Sequence, residues 1–249
     1  SFSVPSGSKL AIVGPTGSGK SSLFNAFLRL LEPQSGSIVI DGWNIGRIGL
    51  EDLRSRLYLV PQDPVILSGT LRSVLDVLGE FDDAKLLACL EAVHLVTDDH
   101  SAGKSPFSNL DMPIAENGSN LSQGQRQLLC VARALLHKSR IVLFDEASSC
   151  IDYTTDMRIT ETVHQVFDKC TVITIAHRLR TVIGYDKVMY MDHGKIMELD
   201  EPAKLLDDKS SHFYRLCKQT GPAEFQFLVE AAKQAASKRQ APPTIAASS

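Results

Sequence analysis

Two stretches of this 249-residue chain carry the residue types needed to hold a phosphate group. The first, GPTGSGKSS at Gly14–Ser22, fits the pattern G-x-x-x-x-G-K-[ST]. Its glycines let a backbone curl tightly around an anion without Cβ clashes. The amide N–H groups of such a loop, and the start of the helix behind it, face the anion. Gly14, Pro15, Thr16, Gly17, Ser18, Gly19, Lys20, Ser21 and Ser22 are therefore expected to line a nucleotide's phosphates. Lys20 should reach the β- and γ-phosphates and Ser21 should ligate Mg2+.

The second stretch is NLSQGQ, residues 120–125. Ser122 and Gln125 are three apart and form the S-x-x-Q capping box that opens many helices. That reading is sufficient by itself. Yet Gly124 would leave the backbone bare, so several N–H groups could face outward toward an anion. Ser122, Gln123, Gly124 and Gln125 are thus candidates for a second phosphate contact, far along the chain from the first.

A phosphate loop works with a carboxylate on the metal side. IVLFDE supplies one: four apolar residues, then Asp145 and Glu146. Asp145 is placed to hold the Mg2+ shell, and Glu146 to polarise an attacking water. Two acids after a strand also serve as helix caps. His177 ends the apolar run TVITIAH, where it could hydrogen-bond a γ-phosphate or orient water; a structural histidine is the plainer alternative. Gln62 follows LYLVPQ and could sense Mg2+ or water, or be an ordinary loop glutamine.

The elements that must position these groups read as alternating strands and helices. KLAIVG (Lys9–Gly14) is a buried strand, and SLFNAFLRLLE behind the loop has helical spacing. SIVIDG (Ser37–Gly42) and LYLVPQ (Leu57–Gln62) are further strands. Residues 70–96 read as helical and 98–119 as a loop. A long amphipathic helix runs from Ser122 to about Lys138; the strand at 141–146, a helix from Asp152 to Phe167 and the strand 171–177 follow. KVMYM-DHG-KIMEL reads as a hairpin turning at Asp192–Gly194. A helix opens at Pro222 with Phe225, Leu228, Val229 and Ala232 along one face. This order predicts an α/β fold with a largely parallel sheet and its ligand at the strands' carboxyl ends.

Composition excludes several classes. At 43% hydrophobic the chain can bury a sizeable core. A net charge of −3 gives no overall basic field to recruit nucleic acid. The five cysteines are scattered without a C-x-x-C pair, as expected of reduced, mostly buried thiols. No apolar run reaches the roughly 18 residues a membrane span needs, and no signal-type N-terminus is present.

Taken together, these motifs resemble the nucleotide-binding domain of ATP-binding cassette (ABC) proteins, over about Ser1 to Lys218. GPTGSGKS is similar to that family's Walker A loop, IVLFDE to its Walker B strand, Gln62 to its Q-loop, LSQGQ to its signature, SSCID to its D-loop and His177 to its H-loop. The resemblance implies a P-loop NTPase core, RecA-like, with a helical subdomain at about 70–138 and an incomplete N-terminal antiparallel β subdomain. It implies an ATP-binding domain over 1–220, a helical extension over 221–240 and a disordered tail over 241–249. It implies ATP and Mg2+ as ligands, with Ser21, Gln62 and Asp145 at the metal and Lys20, Glu146 and His177 in catalysis. In that family two cassettes pack head to tail, and each signature closes on ATP held by the other's Walker A loop. NLSQGQ would then serve a partner's phosphate.

DLRSRLYLVPQDPVILSGTLRSVLD and LSQGQRQLLCVARALL further resemble the second cassette of the C-subfamily, the multidrug-resistance-associated exporters. The implied partners are another cassette in the same longer chain and transmembrane domains. The implied place is the cytoplasmic face of a plasma or organelle membrane, and the implied cargo organic anions, conjugates or drugs. Gln123 departs from the common LSGGQ, and its side chain is expected to slow the site that this signature completes. The family's adenine-stacking aromatic is expected upstream of Ser1, in a longer polypeptide. Two competing readings are a soluble ABC ATPase acting on DNA or ribosomes, and a cassette that binds ATP without cleaving it. The compact interval before LSQGQ speaks against the first, Glu146 and His177 against the second. A kinase or GTPase is disfavoured because no N-K-x-D motif is present.

Overall fold

A computed structural model describes residues 1–96, 105–145, 153–176 and 178–240. In chain order, β1 (Lys9–Val13) precedes α1 (Lys20–Phe27), the short pair β2 (Val39–Ile40) and β3 (Trp43–Asn44), then α2 (Leu50–Arg54) and β4 (Leu57–Val60). Next come β5 (Gly69–Thr70), α3 (Leu71–Leu75), α4 (Asp83–Ala92), β6 (Pro113–Ile114), α5 (Gln123–Leu136) and β7 (Ile141–Asp145). The last part holds α6 (Tyr153–Val166), β8 (Thr171–Ile175), α7 (Leu179–Val182), β9 (Lys187–Asp192), β10 (Lys195–Asp200), α8 (Pro202–Asp207), α9 (His212–Lys218) and α10 (Pro222–Gln240). No helix among the described residues is long and apolar enough to cross a membrane.

The chain divides into two compact units: Ser1–Ser8 with Ser21–Thr174, and Lys9–Lys20 with Ile175–Ser249. In the first, the strands lie in the order β8, β7, β4. β4 and β7 are parallel, with Leu57 opposite Ile141 and Val60 opposite Phe144. Both are β-rich apolar runs, as strands covered on two faces must be. Helix α5 packs on β4, α4 and α6, burying Leu129, Val131 and Ala132. In the second unit, β9 pairs parallel with β1 and antiparallel with β10. Phe213 of α9 and Leu228 of α10 are fully buried there, and Val229 and Ala232 continue the apolar face expected of the last helix.

Three expectations need correction. Helix α1 stops at Phe27 rather than running to Glu32. Arg29 takes a left-handed φ of 51°, Leu30 N–H reaches Asn25 O (2.8 Å) and Arg29 N–H reaches Ala26 O (3.1 Å). This is a Schellman ending, usually made by glycine. Here tertiary bonds from the Arg29 guanidinium to Ile45 O (3.1 Å) and Ile48 O (2.8 Å) hold the arginine in place. The stretch 37–42 is not one strand but half of a hairpin. Asp41 (φ 49°) and Gly42 (φ 83°) form a tight turn that pairs Ile40 with Trp43, a D-G turn of the type hairpins favour. The helical stretch 70–96 is broken in two. The Asp76 carboxylate accepts the Phe81 N–H (2.8 Å) across the gap, and Asp82 restarts the chain by capping Lys85 N–H (2.8 Å). Of the expected loop at 98–119, the described part from 105 carries β6; the expected disordered tail 241–249 lies outside the described residues.

Candidate functional site

The phosphate loop begins where β1 ends. Ala11 and Ile12 are wholly buried, so the strand delivers Gly14 from the core. At Gly14 the backbone passes so close to β9 that an added Cβ would lie 2.1 Å from Met191 O, and φ is 146°. Only glycine fits that approach. Pro15, Thr16 and Gly17 are exposed while Ser18 is buried, and Ser18 N–H closes a turn onto Pro15 O (3.2 Å).

Lys20 is only 7% exposed. Its ammonium donates to Gly14 O (2.9 Å), Pro15 O (2.8 Å) and the Ser18 hydroxyl (3.3 Å). The sequence predicted a lysine extended toward outer phosphates. The loop wraps its own lysine, which fixes a positive charge within it. The N–H groups of Gly17 and Gly19 have no hydrogen-bond partner among the described residues. Unpartnered backbone donors beside a buried cation fit an anion of the polyphosphate class. Ser21 and Ser22 follow, exposed, in the first turn of α1.

Within the first unit, the β4–β7 register sets two further candidates. Val60 lies opposite Phe144, so Gln62 and Asp145 leave parallel strands at the same carboxyl edge. Asp145 is the last residue of β7 and half-buried; Gln62 is exposed in a bend. Among the described residues no group of three or more His, Cys, Asp and Glu could hold a metal. Mg2+ keeps waters and substrate phosphates and takes only one or two carboxylates from protein. The hydroxyl of Ser21, the amide of Gln62 and the carboxylate of Asp145 match that chemistry.

Helix α5 opens with the capping box its sequence predicted. The Ser122 hydroxyl accepts from Gln125 N–H (3.2 Å) and the Gln125 side chain accepts from Ser122 N–H (2.9 Å). Ser122 is exposed and Gln123 half-buried. Gly124 is buried rather than bare, because α5 presses its small residues into the core. The N–H groups of Gln123 and Gly124 lack a partner among the described residues. Two positioning residues escaped the sequence reading. Asn120 accepts from Ala115 N–H (2.9 Å) and donates to Pro113 O (2.9 Å), while Arg126 donates to Gly118 O (3.3 Å) and Leu121 O (3.4 Å). Together they brace the chain leading into the helix. The only signal for them was a polar residue beside each end of the motif.

Cys130 on the same helix is buried. Burial pushes its thiol up to about 11, against a smaller opposing pull from Arg133. Cys89 and Cys217 are likewise buried and free, and Cys170 is half-buried. Glu146, the stretch SSCID and His177 lie outside the described residues. Ala176, just before His177, donates its N–H to Ile12 O (3.0 Å), which ties that end of the chain beside β1.

A parallel α/β fold with a glycine loop closed on a buried lysine defines a P-loop nucleoside-triphosphatase class protein. The sequence model of a family described as ABC transporter matches residues 1–149. The chain belongs to the ABC transporter family. It is 43% identical over 252 aligned positions to the ATP-dependent bile acid permease of Saccharomyces cerevisiae, covering 94% of this chain and 15% of that protein. It is 46% identical over 240 positions to human ATP-binding cassette sub-family C member 4 (96% and 18%), and 47% identical over 223 to human sub-family C member 3 (90% and 14%). The chain thus spans less than a fifth of the length of these relatives.

Proposed function

We propose that this chain is the ATP-binding and ATP-hydrolysing cassette of a membrane exporter, most like the second cassette of a C-subfamily transporter. The observation that carries the reading is the loop Gly14–Gly19 wrapped around the Lys20 ammonium, with unpaired amide N–H groups in the same turn. Residues 1–220 form the cassette in this reading, 221–240 a helical extension and 241–249 a tail.

In this assignment Lys20, Ser18 and the loop amides bind the triphosphate. Ser21, Gln62 and Asp145 would hold Mg2+, which supplies charge neutralisation at the β- and γ-phosphates when bound. Glu146 takes the water's proton as it attacks, and His177 donates to the γ-phosphate. The exposed start of α5 is offered to a second cassette, whose nucleotide Ser122 and the N–H groups of Gln123 and Gly124 would clamp. Transmembrane domains are the mechanical partners, and the place is the cytoplasmic face of a plasma or organelle membrane. Organic anions, conjugates or drugs are the cargo class; the yeast relative's name, a bile acid permease, supports that choice.

The test is Lys20→Ala in the intact protein, followed by ATP hydrolysis and by uptake of an anionic conjugate into inside-out vesicles. Both activities should disappear. Hydrolysis at the unaltered rate would overturn the assignment of the loop.

A further inference from the structure

The hairpin of β9 and β10 turns through only two residues, His193 and Gly194, with Asp192 still paired to Lys195. Both turn residues have positive φ, 45° and 72°. That is the primed turn whose twist matches antiparallel strands. Its position is what matters. Gly194 N–H is not spent within the hairpin; it donates to Ser18 O (3.0 Å), in the middle of the phosphate loop. Met191 O, at the end of the same hairpin, lies against Gly14 at the loop's first residue. Gly19 approaches it too, since a Cβ there would sit 3.5 Å from Gly194 Cα. The hairpin therefore touches the loop at its beginning, middle and end.

One of these contacts sets the direction of a donor. Across a trans peptide the C=O of one residue and the N–H of the next point opposite ways. Anchoring Ser18 O to Gly194 therefore turns Gly19 N–H away from the hairpin, and that N–H has no partner among the described residues. Released from Gly194, the Ser18–Gly19 peptide is free to rotate, and the donor loses its aim.

We propose that the His193–Gly194 turn is a positioning element of the phosphate loop, setting the affinity for triphosphate through the Gly194 N–H bond to Ser18 O. This rests on the nucleotide-binding reading given above. Gly194 is not a catalytic residue, because it acts on the nucleotide only through Ser18 and Gly19.

The geometry allows a clean perturbation. A Cβ at Gly194 meets nothing within 4 Å, so a side chain there acts through backbone strain rather than by collision. Valine is a poor occupant of the left-handed region, whereas asparagine tolerates it. In the intact protein, Gly194→Val should raise the KM for ATP about tenfold, with kcat at saturating ATP within twofold of wild type. Gly194→Asn should restore KM to within about threefold. A turn that merely stabilised the fold would lower the active fraction, and so the apparent kcat, while leaving KM alone. Should the valine variant fail to accumulate, Gly194→Ala is measured instead, and a rise of about threefold in KM is expected. Lys20→Ala is run alongside. If that variant is inactive while the Gly194 variants keep the wild-type KM, the positioning role is overturned and the nucleotide assignment stands. If Lys20→Ala turns over normally, the nucleotide assignment itself falls.

Discussion

Ser122 offers the sharpest separation between a structural and a functional role. In the structure its hydroxyl accepts the Gln125 N–H at 3.2 Å, and the Gln125 side chain returns a bond to Ser122 N–H at 2.9 Å. Ser122→Ala deletes the first bond and keeps the second. Loss of such a cap costs about 1 kcal/mol, which is about a fivefold rise in local opening at the start of α5. Ser122→Asp behaves differently. A carboxylate is as good a cap, and its charge at the positive end of a 14-residue helix adds about 0.3–1 kcal/mol. Helix stability should therefore match or exceed wild type. The same carboxylate removes a hydroxyl donor and repels a triphosphate. A charge-assisted hydrogen bond is worth about 1.5–3 kcal/mol, so ATP affinity at the site completed by this signature should fall about tenfold to a hundredfold. Hydrogen exchange over residues 123–128 reads the first quantity, and photolabelling of the partner cassette of the intact protein with an azido-ATP reads the second. A Ser122→Asp protein with a firm helix start and unreduced ATP binding at that site would refute the phosphate role and leave Ser122 as a helix cap alone.

Other substitutions report on separate parts of the molecule. Glu146→Gln should preserve ATP binding and lower hydrolysis about a hundredfold or more, the usual scale of a general base; a filter-binding assay beside phosphate release distinguishes the two. Arg180 holds the Glu224 carboxyl below its usual range through bonds of 2.6 and 2.5 Å, against an opposing effect of burial. A depressed acid stabilises the fold above its unfolded value and loses that contribution as pH falls through the folded one. Acid melts of the wild type should therefore show an extra loss below about pH 4.5 that Glu224→Gln removes. Phe213, with no exposed surface, should cost about 3–5 kcal/mol on truncation to alanine, visible as a lower urea midpoint. Burial pushes the Cys217 thiol up to about 12, so iodoacetamide at pH 8 should modify half-buried Cys170 well before Cys217. Equal rates would contradict the packing around α9.

The phosphate loop and the helix cap of this protein are written in short local patterns, and those were legible. GPTGSGKS needs only its own glycines and the strand before it to be recognisable, and the S-x-x-Q box closes on itself within four residues. Strands β1, β4, β7 and β8 were readable because buried parallel strands are continuous apolar runs. Helix endings were not. Arg29 and His94 carry the left-handed turn that normally calls for glycine, with φ of 51° and 58°. Nothing in an arginine announces a helix stop; the backbone oxygens of Ile45 and Ile48, well along the chain, hold it there.

The sequence alone determined that an anion-binding loop, a strand-end carboxylate and a capped helix exist, because each depends on neighbours a few residues away. Tertiary structure decided how they are aimed. Lys20 curls onto Gly14 and Pro15, Asn120 and Arg126 brace the approach to α5, and a hairpin about 175 residues downstream takes hold of Ser18. Local spacing specifies which donors a chain can offer, but their direction depends on peptide planes fixed by partners remote in sequence, and those partners meet only once the core has formed.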